Sequence, residues 1–176
     1  TAYATSVAGQ RDYMIELVGE VVRGGGSGVM YWEPAWITSD MRDLWGTGSS
    51  WENNALFDFD GNAHAGVDWM TRGYEGLRRA AAARRRGDGF AVGADLSFLK
   101  AAEDRGVRFR DRGIERPGLD IFRDHGYDWI RLRLFHSPDR LPNDLAYTIA
   151  LAREAKARGY RFLLDYHYAD HWADPQ

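Results

Sequence analysis

The sequence predicts an α/β fold built on a parallel sheet. Three apolar strand patterns begin at residues 90, 127 and 160, so their starts lie 37 and 33 residues apart. Intervals of this length suit strand–helix units, in which a crossover helix returns the chain to the same end of the sheet. The regular alternation of strands and helices favours the α/β class. With 176 residues, the chain is nevertheless short for a closed barrel of eight such units, which needs about 250 residues.

The composition limits the possible classes of function. Apolar residues make up 44% of the chain, enough for one core, and the net charge of -3 predicts no bulk attraction to nucleic acid or to an anionic membrane. There is no cysteine, so the fold does not depend on disulfides. The apolar runs are far shorter than the roughly 20 residues that span a bilayer. Seven Trp residues suit a site that stacks on sugar rings, although a Trp-rich core would explain them as well.

The first 70 residues predict a helix, a strand and a short helix. Thr5 or Ser6 can cap a helix that stops at the glycine-rich stretch 23–28. Its apolar residues follow helical spacing. They are Tyr13, Met14, Leu17, Val18, Val21 and Val22. A buried strand over 28–36, ended by Pro34, comes next. A long polar loop (37–54) then leads to a turn and a short helix within 55–70.

Residues 71–89 differ in character and predict a linker. Ala and Arg dominate this stretch, and the apolar periodicity of a core is lost. The Arg run from Arg78 to Arg86 could contact nucleic acid or an acidic polymer. A solvated helical spacer is the better interpretation, because no other part of the sequence forms a basic surface.

The rest of the chain predicts three strands and two helices. The strands cover 90–97, 127–135 and 160–168. The first helix contains three apolar residues and ends at Gly126. These are Leu119, Ile121 and Phe122. The second helix, over 143–159, has an Asn/Asp cap, a glycine stop and an apolar stripe. The stripe consists of Leu145, Ile149 and Ala152.

Two arginines on the middle strand indicate a buried ionic site. Arg131 and Arg133 share one face of this strand, between apolar neighbours. Buried guanidinium groups need carboxylate partners, and the candidates are Asp95 and Asp165 on the flanking strands. These polar residues lie toward the carboxyl ends of their strands, where α/β proteins place their sites. A purely structural Arg–Asp network explains the strands equally well.

One acidic segment partly follows the pattern of a calcium loop. The stretch 58–62, "DFDGN", carries side-chain oxygens at alternate positions. However, Ala63 stands where such a loop needs Gly, and Trp69 where it needs Glu. A simple turn is therefore the preferred interpretation. The five His residues form no metal-binding pattern either.

Several long motifs resemble glycoside hydrolase family 53. The stretches 93–113, 129–138 ("WIRLRLFHSP") and 163–175 ("LLDYHYADHWADP") resemble the first three strands of this family. A second set resembles the family's closing helix, eighth strand and last loop. It consists of 9–22, 28–37 ("GVMYWEPAWI") and 51–63. The family contains endo-β-1,4-galactanases that fold as (β/α)8 barrels. The resemblance therefore implies a partial barrel that holds strands eight, one, two and three.

The two sets of motifs stand in reversed order. The family's end comes first here and its beginning second, so the barrel is either circularly permuted or the chain is the junction of two tandem barrels. In both cases we expect residues 1–75 to be the family's C-terminal portion, 76–89 the linker and 90–176 the N-terminal portion.

The resemblance also implies site residues and a reaction. The family looks like a retaining glycosidase with two glutamates, and retention needs both carboxyl groups about 5 Å apart. The resemblance places the acid/base glutamate after strand four, and strands four to six have no counterpart here. The other would directly precede Thr1, so we expect no catalytic residue in the chain. The remaining motifs match supporting and substrate-binding positions. These are Asp95, Arg131, His167, Trp32 and Trp172.

Several further expectations follow from the resemblance. The complete enzyme would hydrolyse galactan or arabinogalactan, whereas this chain alone would be inactive. The alternative is a non-catalytic half-barrel that binds or assembles, including self-association through open barrel edges. No cofactor is expected; some relatives bind calcium, but the acidic segment does not support it here. No nucleic acid or membrane partner is expected, and the family implies secretion or a periplasmic location.

Overall fold

A computed structural model of the chain describes residues 3–37, 54–71 and 91–167. The elements follow one another in this order: α1 (Val7–Arg23), β1 (Gly28–Trp32), a 3-10 helix (Ala65–Met70), β2 (Ala91–Asp95), α2 (Leu99–Asp104), β3 (Arg110–Asp111), β4 (Ile114–Glu115), α3 (Gly118–Asp124), β5 (Trp129–Leu134), α4 (Leu145–Ala157) and β6 (Arg161–Tyr166). The expected linker (76–89), the Arg run and Trp172 lie outside the described residues. No helix in the described part is long and apolar enough to cross a membrane.

Four strands form a parallel sheet in the order β1-β2-β5-β6. This confirms the predicted α/β class and the three predicted strands of the second half. β1 pairs with β2 over its whole length, from Gly28 opposite Ala91 to Trp32 opposite Asp95. The residues on either side of the predicted linker therefore belong to one continuous sheet.

The first helix forms as predicted. The Ser6 side chain accepts a hydrogen bond from the Gly9 backbone N–H at 3.0 Å, which caps the first turn. The chain leaves the helix at Gly24, and Gly25 has a φ of 78°, a conformation that glycine adopts readily. α1 buries one side against the sheet and the 3-10 helix. The buried apolar residues are Met14, Val18 and Val22.

Two of the three residues in the predicted apolar stripe of α4 are exposed, and the third, Ala152, packs only partly against the core. The helix begins as expected, since Asp144 accepts a hydrogen bond from the Tyr147 N–H at 2.8 Å. Leu145 is 59% exposed and Ile149 is 39% exposed. The buried positions are Thr148, Leu151 and Ala155. Thr148 is polar, so the apolar pattern does not include it. It can be buried because its hydroxyl donates a hydrogen bond to the Arg133 carbonyl at 3.2 Å.

The region between β2 and α3 holds a short helix and a hairpin that the sequence did not predict. β3 and β4 contain two residues each, too few to show an alternating pattern. The turn between them uses Arg112 and Gly113, with φ values of 51° and 78°. This geometry is typical of two-residue hairpins. The predicted helix then follows as α3, and Gly126 ends it with a φ of 89°.

The residues before and after the predicted linker share one core. Trp69 of the 3-10 helix packs edge-on against Tyr127, with ring centroids 5.6 Å apart. Phe57 packs in the same way against Phe122 at 5.6 Å. His125 lies between the carboxylates of Asp68 and Asp111, at 2.9 and 3.2 Å.

Candidate active site

Four of the five predicted site residues line one cavity at the carboxyl ends of the strands. The cavity has a volume of about 310 Å³. Its lining residues are Met30, Trp32, Asp95, Arg131, Arg133 and His167. The strand register explains the convergence, since Trp32 is opposite Asp95 and Asp95 is opposite Arg131. Residues paired in a parallel sheet project to the same face. The fifth, Trp172, lies outside the described residues.

Arg131 is held between two carboxylates, as the sequence predicted. Its two terminal nitrogens donate to Asp95 and to Asp165 respectively. Asp95 is buried and also accepts from the Ser97 backbone N–H at 3.1 Å. The His167 ring nitrogen Nε2 lies 2.9 Å from the same Asp165 oxygen that Arg131 contacts. These contacts fix the guanidinium in a charged, partly open cavity.

Arg133 has a partner that sequence reasoning missed. Its guanidinium contacts the Glu33 carboxylate, while its Nε lies 3.4 Å from Asp95 Oδ2. The guanidinium carbon also lies 4.7 Å from the centre of the Phe98 ring. Alternation had placed Glu33 on the face opposite Trp32. The strand ends at Trp32, however, and Glu33 has a φ of 42°, so its side chain turns back toward Arg133.

Burial raises the pKa of the Glu33 carboxyl well above its ordinary value. Only 2% of the residue is exposed, and removing a carboxylate from water disfavours its charged form. Arg133 acts in the opposite direction by stabilising the charge, whereas nearby Asp95 adds to the increase. The loss of hydration is the largest of these effects. Glu33 therefore resembles a structural acid rather than an exposed catalytic group.

The raised pKa predicts how stability changes with pH. The ordinary pKa of Glu is 4.5, and above it the unfolded chain releases the proton that folded Glu33 still holds. The folded state then binds more protons, so its stability falls as pH rises from 4.5 toward the folded pKa. We expect Glu33→Gln to reduce this fall. Urea unfolding of the parent chain and of Glu33→Gln between about pH 4 and pH 8 measures how the stability of each depends on pH. Parallel pH profiles would contradict the assignment.

Two ring side chains of the cavity lining, Trp32 and His167, are each supported by a buried aromatic residue. Trp32 packs edge-on against Trp36, with centroids 5.5 Å apart, and Trp36 in turn contacts Phe98 at 5.4 Å. On the other side, the His167 ring lies 4.6 Å from Phe135. Trp36, Phe98 and Phe135 are buried, so they hold the partly exposed Trp32 and His167 in place. A supported Trp face beside charged hydrogen-bonding groups suits a sugar ring, which is apolar on its faces and polar at its rim.

The described residues do not suggest a metal site. Asp58 accepts hydrogen bonds from the backbone N–H groups of Asp60 and Asn62, at 3.0 and 2.8 Å, which forms the predicted turn. Within the described ranges, no group of three or more acidic or His residues is arranged to hold an ion.

A second, larger cavity is lined by none of the residues of the four-stranded sheet. It measures about 830 Å³, and charged residues from α1, the hairpin and α3 line it. His125 with its two Asp partners forms part of its wall. Among its described lining residues there is no Trp, Tyr or Phe ring that could stack on a sugar. The smaller cavity is therefore the better candidate for an active site.

The fold and the site together define part of a (β/α)8 barrel. The four parallel strands carry their charged and aromatic residues at the carboxyl ends, as barrels of this class do. The family model for glycosyl hydrolase family 53 matches residues 1–70 and 91–176, and the chain belongs to this family. The family consists of glycosidases, and the predicted resemblance is confirmed.

Several named relatives are similar to about half of the chain. The arabinogalactan endo-β-1,4-galactanase of Cellvibrio japonicus is 39% identical over 88 residues, which cover 49% of this chain and 23% of the relative. A probable arabinogalactan endo-β-1,4-galactanase A of Aspergillus terreus is 42% identical over 84 residues, which cover 47% of this chain and 24% of the relative. A solved structure of fungal β-1,4-galactanases is 37% identical, with a TM-score of 0.45. The match covers 47% of this chain and 25% of the galactanase chain. The matched part thus spans about a quarter of each relative's length.

Proposed function

We propose that this chain is part of a retaining endo-β-1,4-galactanase that cleaves internal β-1,4-galactosyl links in pectic galactan. The observation that carries the proposal is the position of Arg131, held by Asp95 and Asp165 in a cavity that Trp32 and His167 also line. A fixed cation at the strand ends suits a group that holds a nucleophilic carboxylate in its charged form. The names of the relatives support galactan as the substrate class.

In this proposal the chain supplies the supporting residues and not the catalytic pair. A retaining mechanism needs one carboxylate as nucleophile and one carboxylic acid as proton donor, about 5 Å apart across the sugar. Glu33 does not suit either role, because it is buried against Arg133 and does not line the cavity. We propose that both glutamates lie on segments outside this chain. Arg131 would orient the nucleophile, His167 would contact the reacting sugar, and Trp32 would form the floor of its subsite.

Two observations support the reversed order of the family segments. The parallel pairing of β1 with β2 is what an eighth strand beside a first strand would give in a closed barrel. In addition, the relatives align over 84 to 89 residues, about the length of the matched segment 91–176. A collinear alignment can include only one of two segments whose order is exchanged. We therefore propose boundaries at 1–75, 76–89 and 90–176, with the middle part as linker.

The activity proposal predicts sugar binding without hydrolysis. Calorimetric titration with β-1,4-galacto-oligosaccharides should show weak binding, and Trp32→Ala should weaken it about tenfold, or about 1.4 kcal/mol. Phe59→Ala removes an aromatic side chain that is exposed on the distant turn, so it should bind like the parent chain. A reducing-sugar assay on galactan should stay at background. Measurable hydrolysis would show that the catalytic pair is present, and undetectable binding would remove the substrate-binding role.

A second candidate function is a non-catalytic half-barrel that binds or assembles. The sheet favours it, because β1 and β6 each pair with only one strand among the described residues. Unpaired strand edges tend to associate with other chains. This candidate is the alternative to the galactanase proposal, and size-exclusion chromatography discriminates between them, because a compact monomer would argue against assembly.

A further inference from the structure

A row of alternating acidic and basic side chains leads from the interior of the fold into the candidate active site. In order of contact its members are Glu33, Arg133, Asp95, Arg131, Asp165 and His167. They lie on the four strands of the sheet or directly after a strand end. This ionic row therefore connects all four strands.

We propose that Glu33 and Ser97 are positioning residues of this site. Neither is among the described residues that line the cavity. Both act on Arg131 through the Asp95 carboxylate to which Arg131 donates. The proposal deepens the proposed function, and it rests on that function for the roles of Arg131 and His167 toward the sugar. The contacts that carry it lie wholly within the described residues.

The two oxygens of Asp95 are held separately. Oδ1 accepts hydrogen bonds from the backbone N–H of Ser97, at 3.1 Å, and from the Ser97 hydroxyl. Oδ2 accepts from Arg131 and lies 3.4 Å from Arg133 Nε. Because Asp95 and Ser97 are both buried, these contacts decide how the carboxylate is turned. The orientation of Asp95 then fixes one terminal nitrogen of Arg131.

Glu33 holds the guanidinium group that borders Asp95. The Arg133 side chain is 0% exposed and donates to Glu33 Oε1. The Arg133 backbone N–H donates to the Ser97 hydroxyl at 2.9 Å, so Ser97 links the Arg133 main chain to Asp95 as well. Without the Glu33 acceptor, a buried N–H group of the guanidinium loses this hydrogen bond. Arg133 would then compete with Arg131 for the same Asp95 oxygen.

The charges along the ionic row balance when Glu33 is neutral. The guanidinium groups of Arg131 and Arg133 face two carboxylates, so positive and negative charges are equal in number. These carboxylates belong to Asp95 and Asp165. Burial raises the pKa of Glu33, and a hydrogen bond with Asp95 raises it further. A hydrogen bond between two carboxyl groups needs a proton on one of them. Neutral Glu33 thus accepts from Arg133 and donates to Asp95.

The other end of the ionic row is open to the cavity. Arg131 and Asp165 are 27% and 29% exposed, in contrast to the buried members. The Asp165 oxygen that Arg131 contacts also lies 2.9 Å from His167 Nε2. A change in the orientation of Asp95 therefore moves Arg131 and, through Asp165, alters the surroundings of the His167 ring. The buried end thus sets the geometry that a sugar meets.

Two substitutions at Glu33 test its hydrogen-bonding role. Glu33→Gln keeps an oxygen for Arg133 and an N–H group for Asp95, as the neutral acid does, so this variant should bind sugar like the parent chain. Glu33→Ala removes both groups and should weaken the binding of β-1,4-galactotetraose at least about fivefold in calorimetric titration. Ser97→Ala removes the hydroxyl contact to the other Asp95 oxygen and should weaken binding by a similar factor.

The nitrogen signals of the His167 ring give a readout that needs no sugar. In isotope-labelled protein these signals are assigned by their loss in His167→Gln, and they report on Asp165 and hence on Arg131. Glu33→Ala and Ser97→Ala should shift them, whereas Glu33→Gln should leave them unchanged. If the parent chain binds no sugar and these shifts still occur, the proposed function fails and the positioning role is supported.

Ile121→Ala distinguishes positioning from a general loss of stability. Ile121 is 0% exposed in α3, which contributes no member to the ionic row, so this variant should lower stability and keep the parent His167 signals. Circular dichroism and thermal unfolding show which variants are folded, and Ser97→Ala provides the test if Glu33→Ala does not fold. Parent-like His167 signals in either folded Ala variant of the row would overturn the proposal. A Glu33→Gln variant as disturbed as Glu33→Ala would also overturn it.

Discussion

Replacement of Arg133 by Met is expected to lower the free energy of unfolding by about 3–5 kcal/mol, because it leaves buried acidic groups without their cation. The Arg133 side chain is 0% exposed and contacts Glu33, with Asp95 at 3.4 Å. Asp95 keeps Arg131 as a partner, so most of the loss should come from Glu33. Without the guanidinium, the pKa of Glu33 should rise further, because Arg133 is the group that lowers it. The loss should therefore be larger at pH 8 than at pH 5, in urea unfolding at both values.

Two further variants distinguish charge burial from lost packing. Glu33→Gln combined with Arg133→Met removes the pair, and an apolar replacement of a buried ion pair is often close to neutral. We expect the double variant to recover a large part of the loss. Arg153→Met makes the same substitution at an exposed position and should change stability by no more than about 0.5 kcal/mol. Additive losses in the double variant would show that the packing of Arg133, including its contact with Phe98, matters more than its charge.

The arginines illustrate which parts of the site the sequence reveals. Alternation along β5 places Arg131 and Arg133 on one face, and the need to neutralise buried cations identifies Asp95 and Asp165 as partners. Both contacts to Arg131 are present. The partner of Arg133 could not be found in this way, because the alternating rule applies only within a strand. Glu33 follows the last residue of β1, and its positive φ redirects the side chain.

Helix α4 shows that a sequence can reveal an apolar stripe without revealing whether the fold buries it. The periodicity of Leu145, Ile149 and Ala152 is real, and an isolated helix would be expected to bury it. In this chain the helix is anchored by its other sides, through Thr148, Leu151 and Ala155 to the sheet and through Arg158 to α3. Leu145 and Ile149 of the stripe are exposed instead, and only Ala152 packs partly against the core. A sequence pattern therefore identifies a surface suited to burial, but the strand order decides whether the same chain covers it.

Replacement of Trp69 by Ala is expected to cost about 3–5 kcal/mol and to destabilise both family segments together. Trp69 is 0% exposed and is among the largest fully buried side chains in the described part of the chain. It belongs to the first segment, yet it packs against Tyr127 of the second, at 5.6 Å, as well as against Tyr31 of its own at 6.3 Å. A cavity at this position therefore removes contacts in both matched segments, 1–70 and 91–176.

Hydrogen exchange measured separately in α1 and β5 tests whether the two segments unfold as one unit. Protection in both elements should fall by the same free energy in Trp69→Ala, because a shared core unfolds cooperatively. Phe59→Ala in the same segment removes an exposed aromatic residue and should leave both elements unchanged. If α1 lost protection while β5 kept it, the two matched segments would be independent folding units. A common loss means that the two matched segments, 1–70 and 91–176, unfold as one cooperative unit.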